Sequence, residues 1–170
     1  MTESNKPRLI MRDCTLWADR ESKLGQIGDI TLPVVQKKLE EIRNGGMIKP
    51  RDITLGYEKL GFSFKMPGLD PQIVKLFGLR PGVETPFIIT GALVDEDGTV
   101  HSAVATVRGS INQLDHGNWK PGELPENDNT VSVNYYKLEI DGEELIEMDD
   151  FDIKIGGVSQ YQGIRNALLL

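Results

Sequence analysis

Residues 130–149 constrain the fold of this chain more than any other stretch. Their sequence, TVSVNYYKLEIDGEELIEMD, places two runs rich in β-branched, aliphatic and aromatic residues on either side of Asp141 and Gly142. An Asp-Gly pair between such runs predicts a hairpin, because a type I′ turn needs positive φ at both central residues. Each run is long enough to cross a whole sheet. We therefore predict a long antiparallel hairpin that turns at Asp141 and Gly142.

The apolar pattern of the first run changes face part of the way along it. Its apolar residues fall into two sets, with Val131, Val133 and Tyr135 on one face and Tyr136, Leu138 and Ile140 on the other. Because side chains alternate with a period of two, the change requires either a bulge near Tyr135 and Tyr136 or cover on both faces. Cover on both faces is difficult within a small monomer and favours a subunit of an assembly.

Most of the other elements predicted from local patterns are also strands. They are single strands at 9–18, 23–32 and 53–66, a hairpin of 86–94 with 99–113 around the turn 95–98, and a short strand at 153–155. Residues 116–129, which contain two prolines and several turn formers, are predicted to be a loop. The pattern as a whole predicts a mainly β fold, an antiparallel β-sandwich or barrel with long hairpins.

Three segments are predicted to be helical. Asp70 as N-cap and Pro71 as first helical residue predict a flanking helix over residues 71–77. Ser159 is expected to cap a short helix that ends at residue 168. Residues 34–43 place Val35, Leu39 and Ile42 at helical spacing among good helix formers, so local rules favour a helix there.

Length and charge limit the classes of function. The chain has 170 residues, which suits a single domain over 1–170, with residues 1–8 expected to form a flexible N-terminal arm. Its formal net charge of −7 argues against a basic nucleic-acid-binding surface and against attraction to anionic membranes. We expect no membrane anchoring, because no apolar run approaches the length of a membrane span.

The residues that usually carry chemistry do not form a recognisable site. The two histidines, His101 and His116, have no cysteine pair beside them, and the single cysteine, Cys14, has no base near it in sequence. An acidic cluster follows the hairpin turn and consists of Glu143, Glu144, Glu147, Asp149, Asp150 and Asp152. We interpret it as a solvated strand face, or as a charged face turned toward an enclosed passage, in preference to a catalytic carboxylate pair. We therefore predict no enzyme, no metal and no cofactor.

Several ordered segments of the chain resemble the major tail tube proteins of contractile-tailed phages, the family that also forms the tube of R-type phage-tail-like bacteriocins. The matching segments are ITLP at 30–33 with LE at 39–40 and RNGGM at 43–47, VATVRG at 104–109, LDHGNWKPGE at 114–123, YYKL at 135–138 with DG at 141–142 and IEMD at 146–149, and GGV at 156–158 with Arg165 and Leu170. Together they cover roughly residues 10–170 in the order that the family has.

This resemblance implies a structural protein whose hexameric rings stack into a hollow tube with an inner β-barrel. It implies that residues 34–43 form a strand, against the local helix signal. The residues implied to contact neighbouring subunits or rings are Arg43, Asn44, Gly45, Gly46, Met47, Tyr135 and Tyr136. Some members of a set of acidic residues are expected to face the lumen, namely Glu139, Glu143, Glu144, Glu147 and Asp149.

The implied partners follow from that role. They are other copies of the chain, the tail sheath, the baseplate and tape-measure proteins, and DNA that passes through the lumen without specific binding. The protein is then expected in the virion tail, assembled in the bacterial cytoplasm. Two alternatives stay open at this point: the related tube of a secretion system that carries protein effectors, and a small-molecule-binding β-barrel, which needs convergent polar groups around a pocket.

Overall fold

A computed structural model describes residues 8–78 and 82–170, so the predicted N-terminal arm lies outside the described residues apart from Arg8. Within those residues the chain forms twelve strands and two short helices. The strands are β1 (Ile10–Ala18), β2 (Glu21–Ser22), β3 (Ile30–Thr31), β4 (Lys37–Ile42), β5 (Arg51–Tyr57), β6 (Leu60–Pro67), β7 (Thr85–Val94), β8 (Val100–Asp115), β9 (Glu126–Ile140), β10 (Glu143–Met148), β11 (Ile153–Ile155) and β12 (Val158–Ser159), and the helices are α1 (Pro71–Leu76) and α2 (Gln162–Ala167).

The long strand β9 organises the main sheet, whose order is β12-β11-β10-β9-β8-β7-β1-β2. One edge of β9 pairs with β8. Its other edge is shared by β6, which pairs with residues 126–133, and by β10, which pairs with residues 136–140. The short strand β3 pairs with the far edge of β6. Because two strands leave β9 from the same edge, the sheet branches and can fold over its own core.

Three phenylalanines show how strongly the sheet curves. Phe62 lies on β6 and Phe87 on β7, and these strands are separated by β9 and β8 in hydrogen-bonding order. Strands three spacings apart in a flat sheet lie roughly 14 Å apart. The ring centroids of Phe62 and Phe87 are only 5.8 Å apart, with Phe64 beside both. The sheet therefore encloses the core, which confirms the predicted antiparallel sandwich or barrel with long hairpins.

The central hairpin was predicted correctly, and of the two alternatives for its change of face the structure shows the bulge. Asp141 and Gly142 have φ values of 52° and 80°, as a type I′ turn requires. Tyr135 pairs with Arg108 and Val133 with Gly109, which leaves Asn134 as the extra residue of a bulge. The bulge brings Tyr136 onto the buried face that Val133 occupies before it. Apart from Tyr135, the apolar residues of β9 from Val131 to Ile140 therefore share one face, although the sequence alone places them on two.

Helix α1 and the hairpin of β7 and β8 also confirm their predictions. Asp70 accepts a hydrogen bond from the backbone N–H of Gln72 at 2.9 Å, and Pro71 is the first helical residue. In the turn of the β7–β8 hairpin, the Asp95 carboxylate accepts hydrogen bonds from the N–H groups of Asp97 and Thr99. Among the described residues, neither helix is long and apolar enough to cross a membrane.

Two strand predictions were wrong in their extent. Residues 23–32 are mostly turn, with Gly25 at φ 74°, and strand structure is confined to Ile30–Thr31. The predicted strand 53–66 is two strands, β5 and β6, which belong to different sheets. The predicted loop 116–129 ends at residue 125, because β9 begins at Glu126 between β6 and β8.

Two helix predictions need correction as well. Residues 37–42 form strand β4, so the local helix signal at 34–43 is wrong and the strand implied by the resemblance is right. The C-terminal helix begins at Gln162, because Ser159 belongs to β12. The Ser159 hydroxyl donates a hydrogen bond to Asp152 at 2.7 Å. Tyr161 takes the N-cap position, with no capping bond from its side chain.

Candidate assembly surfaces

Strands β4 and β5 form a two-stranded sheet of their own, which we call the arm (residues 37–57). Within the described part of the chain, each of these strands pairs with the other alone. The apolar side chains of Leu39, Ile53 and Leu55 are exposed on it. An isolated hairpin is marginal in water, and its free edges and exposed apolar groups are of the kind that other chains cover. The arm is therefore the strongest candidate for contact with another molecule.

The residues predicted to contact neighbouring rings lie at the end of this arm. The tip (residues 43–50) connects β4 to β5, and its turn is closed by a 3.1 Å hydrogen bond from the Met47 N–H to the Asn44 carbonyl. Gly46 supports the turn with a φ of 86°. Arg43, Asn44 and Gly45 are exposed, as is Gly46, while Met47 is half-buried. Their surface position agrees with a contact role, and the contact itself stays a prediction.

A second surface, the charged face, is the side of the β8–β9–β10–β11 sheet that points away from the core. Residues directly opposite each other on antiparallel strands share a face, and Glu144 lies opposite Glu139, while Glu147 lies opposite both Lys137 and Lys154. Three of the five acidic residues predicted to face a lumen are thus brought together.

Lysines pair with each of these three carboxylates. Lys137 Nζ lies 3.1 Å from Glu139 Oε1 and 3.8 Å from Glu144 Oε2, and Lys154 Nζ lies 3.6 Å from Glu147 Oε2. The hydrogen bond to Glu139 raises the pKa of Lys137 and keeps it charged. The charged face therefore carries lysines paired with glutamates, and it differs from the purely acidic lining that the sequence suggests.

Tyr135 connects the charged residues of β10 to Arg108 on β8. Its hydroxyl donates to Glu147 Oε1 at 3.1 Å, and the Arg108 guanidinium lies 4.2 Å from the ring centroid, within cation–π range. Partial burial and the acceptor Glu147 raise the pKa of the Tyr135 hydroxyl, so it remains a donor at neutral pH. The half-buried ring is thus held on the charged face, where a neighbour can reach it.

The remaining predicted site residues lie elsewhere. Tyr136 is only 3% exposed and belongs to the core of the chain, so its side chain offers no surface to a neighbouring molecule, unlike the predicted contact role. Glu143 lies opposite Ile140 beside the hairpin turn. Asp149 follows the end of β10, where its carboxylate accepts hydrogen bonds from the N–H groups of Phe151 and Asp152. Glu143 thus lies at the turn, while Asp149 borders the charged face, because it lines a small pocket with Glu147 and Lys154.

A groove of about 440 Å³ lies at the base of the arm, and local sequence patterns did not predict it. It opens where the pairing of β6 with β9 ends at Leu60 and the pairing of β10 begins at Met148. The residues that line it are Tyr57, Glu58, Lys59, Leu60, Val133, Asn134, Met148, Asp149, Asp150, Phe151, Asp152, Ile153 and Tyr161. The one signal in the sequence was an apolar residue, Phe151, set inside a run of aspartates.

The turns of the two long hairpins meet through a histidine. His101 Nδ1 lies 2.5 Å from Asp141 Oδ2, and Nε2 lies 3.3 Å from Asp95 Oδ2. Hydrogen bonds to Asp141 and then to Asp95 raise the pKa of His101, and the bond to His101 lowers the pKa of Asp141. This cluster ties the β7–β8 turn to the β9–β10 turn.

The described residues contain no group of three or more His, Cys, Asp or Glu side chains arranged to hold a metal ion. Cys14 lies half-buried on β1. Burial, reinforced by Asp13 and Asp29, raises the pKa of its thiol. A raised pKa disfavours the thiolate and so the use of Cys14 as a nucleophile.

Comparison with known proteins gives one consistent result. The family model described as phage tail tube protein FII matches residues 7–168. The tail tube protein of Escherichia phage P2 is 28% identical over 144 residues, which are 81% of this chain and 84% of the relative. The major tail tube protein of Serratia phage KSP20 is 27% identical over 155 residues, which are 89% of this chain and 90% of the relative.

A solved structure supports the fold. A chain from the cryo-EM structure of an extracellular contractile injection system, the PVC sheath-tube complex in its extended state, superposes with a TM-score of 0.55 at 9% identity. The match covers 74% of this chain and 87% of that chain. At this identity the likeness concerns the fold alone, and the family match rests on the sequence. The chain belongs to the phage tail tube protein FII family.

Proposed function

We propose that this tail tube protein forms hexameric rings that stack into a hollow tube, which is driven through the envelope of a target cell and conducts the genome. The observation that carries the proposal is the arm, an isolated hairpin with exposed Leu39, Ile53 and Leu55. A monomer gains little from such an element, because it buries almost nothing within its own subunit. A stacked assembly gives the arm a neighbour to cover it.

The charged face supports a lumen-facing role for Glu139, Glu144 and Glu147. It belongs to the longest strands of the sheet, β8 with 16 residues and β9 with 15. Binding to DNA depends on free cations that replace the counterions of phosphates. Here Lys137 and Lys154 lie against carboxylates, so neither is free to bind a phosphate tightly, and the Arg108 guanidinium lies over the Tyr135 ring. A lumen lined by this face would let DNA slide without specific binding.

Further partners belong to the same proposal. A sheath is proposed as the outer partner because the structural neighbour was solved in a sheath-tube complex. Baseplate and tape-measure proteins would bind at the end of the tube and inside it. The site of action is then the virion tail, after assembly in the bacterial cytoplasm.

Electron microscopy of the purified protein tests the proposal. We expect negatively stained rings or hollow tubes with a stain-filled channel, and light scattering on a sizing column should give masses at multiples of the ring. Removal of the arm by joining Gln36 to Glu58, whose backbones already meet through a 2.9 Å hydrogen bond, should leave a folded subunit that no longer stacks. A monomer at every concentration would count against the proposal.

A further inference from the structure

We propose that the groove at the base of the arm is the receptor for the arm tip of a neighbouring copy of the same chain. This inference rests on the proposed tube and deepens it, because it identifies the surface that the exposed tip contacts. The occupant is the tip of a second copy together with Arg51, the first residue of its β5, and the receptor is the groove between β5, the β10–β11 turn and the N-terminal end of α2.

The tip presents apolar and basic groups together. Ile48 is 96% exposed, with half-buried Met47 beside it. Arg43 precedes them in the sequence, Lys49 and Arg51 follow them, and no acidic residue lies between positions 43 and 51. In the described part of the chain none of these three cations is in a salt bridge. An aliphatic centre with a cationic rim is suited to a groove with the opposite charge.

The groove presents the complementary groups. Its apolar lining includes Leu60 and Met148, and three aromatic residues add to it: Tyr57 and Tyr161, whose ring centroids are 6.3 Å apart, and Phe151, which is 79% exposed. Apolar surface of this kind favours an aliphatic side chain, because contact with Ile48 would remove both from water.

The charges of the groove also complement those of the tip. Glu58, Asp149 and Asp150 line it without a salt bridge to any described residue. Asp152 is neutralised by Arg165 at 3.5 Å, and Lys59 is the one cation in the lining. Three carboxylates of the groove and three cations of the tip thus have no salt bridge to a described residue and can pair with each other. Charge complementarity of this kind sets partner choice and register at an interface.

The positions of tip and groove suit a head-to-tail contact. Both lie on the same arm, the tip at its end and the groove at its base, about 20 Å apart for six paired residues. A tip therefore cannot fold back into its own groove while the arm is straight. Each copy offers one tip and one groove, and a contact of this heterologous type repeats along an axis, as a stack of rings requires.

Cysteine cross-linking tests the contact directly. The background is Cys14→Ser, and the two variants carry Ile48→Cys at the tip or Phe151→Cys at the groove. After the variants are mixed, assembled and oxidised, we expect a covalent heterodimer as the main product. The control pairs Ile48→Cys with Val100→Cys, which is 68% exposed at the far end of the β7–β8 hairpin, and should give about tenfold less heterodimer.

Charge reversal tests the complementarity. Arg43→Glu with Lys49→Glu at the tip, or Glu58→Lys with Asp150→Lys in the groove, should each reduce tube yield about tenfold. The variant that carries all four changes should recover most of the yield, because its tip and groove are again complementary. Circular dichroism of each variant would establish that the subunit remains folded.

The outcomes separate this inference from the proposed tube. Tubes that form without the heterodimer, or four changes that give no recovery in folded variants, would overturn the groove as receptor and leave the tube intact. Failure of the unchanged chain to form any rings or tubes would overturn both. Tubes with the heterodimer and the recovery would support both.

Discussion

The Nδ1 atom of His101 lies 2.5 Å from Oδ2 of Asp141, and this contact joins the turns of two separate hairpins. The other carboxylate oxygen of Asp141 accepts a hydrogen bond from the Ser102 N–H at 2.9 Å, and the Asp141 N–H donates to the Ser102 carbonyl at 2.9 Å. The other ring nitrogen of His101, Nε2, lies 3.3 Å from Asp95 Oδ2. The His101 side chain thus links the two turns at the end of the β8–β9 pairing.

This arrangement predicts a pH-dependent contribution to stability. Because hydrogen bonds to Asp141 and Asp95 raise the pKa of His101, the charged imidazole stabilises the folded state. That contribution is complete below about pH 6.5, the ordinary pKa of histidine, and is lost as pH rises through the raised pKa. We expect the Tm of the unchanged chain to exceed that of His101→Gln most at pH 6, with a gap that narrows at higher pH.

The matched control is His116→Gln, which removes the other histidine. His116 is in no salt bridge with a described residue, so its replacement removes a histidine without removing an ion pair. A gap between the unchanged chain and His101→Gln that stays constant from pH 6 to pH 9 would contradict the proposed pairing.

Gly109 is predicted to be irreplaceable in the sheet. It lies on β8 and pairs with Val133, next to the bulge of β9. A Cβ built on Gly109 would lie 1.9 Å from the carbonyl oxygen of Ser132. Backbone atoms at that distance must move, which would break the pairing of β8 with β9. We expect Gly109→Ala to lower the free energy of unfolding by about 3 kcal/mol or more, measured by urea denaturation.

Gly61→Ala is the control for this effect. Gly61 pairs with Ser132, the residue whose carbonyl Gly109 approaches, on the other edge of β9, and its built Cβ meets nothing within 4 Å. This substitution should change the free energy of unfolding by under about 1 kcal/mol. Equal losses for the two variants would show that the close approach at Gly109 has no special cost.

Lys23 anchors helix α1 from the turn after β2, and its replacement should be costly. The side chain is 4% exposed, and its Nζ lies 2.8 Å from Asp70 Oδ2 and 2.5 Å from Gln72 Oε1. Lys23→Met keeps most of the apolar stem and leaves the Asp70 carboxylate without its cation. Loss of one partner of a buried ion pair costs about 3 kcal/mol, so we expect a fall of that size in chemical denaturation.

Lys65→Met provides the comparison. Lys65 lies 3.9 Å from Glu126, and both side chains are substantially exposed. Exposed pairs contribute at most about 1 kcal/mol, so this variant should unfold close to the unchanged chain. If Lys23→Met also unfolded close to the unchanged chain, the buried ion pair of Lys23 with Asp70 would contribute little to stability, which would contradict the prediction.

Local rules predicted the elements whose signals come from residues close together in the sequence. The turn at Asp141 and Gly142, the cap at Asp70 and the bulge beside Tyr135 each follow from residue chemistry and from the period of apolar residues. The register change at Asn134 was foreseen as one of two possibilities, because a single-faced strand cannot otherwise hold Val133 and Tyr136.

The errors arose where distant residues decide the structure. Residues 37–42 carry good helix formers, and only pairing with β5 makes them a strand. Asn127 and Asn129 resemble loop residues, yet they are 4% and 3% exposed because β6 and β8 enclose them, and the Asn127 amide donates to the Gly68 carbonyl. The groove combines residues from 57–60, 133–134, 148–153 and 161, which are far apart in the sequence, so no local pattern predicts it.

The charged face yields the last prediction, which concerns its position in the assembled tube. In the Cys14→Ser background, Glu139→Cys places a thiol among Lys137 and Glu144 on that face. If the face lines the lumen, a small maleimide will label the thiol in tubes, whereas a maleimide attached to a globular protein wider than the channel will not. Both reagents should label the same variant before assembly, which serves as the control. Equal labelling by the bulky reagent before and after assembly would place Glu139 on the outside of the tube and overturn the lumen-facing role.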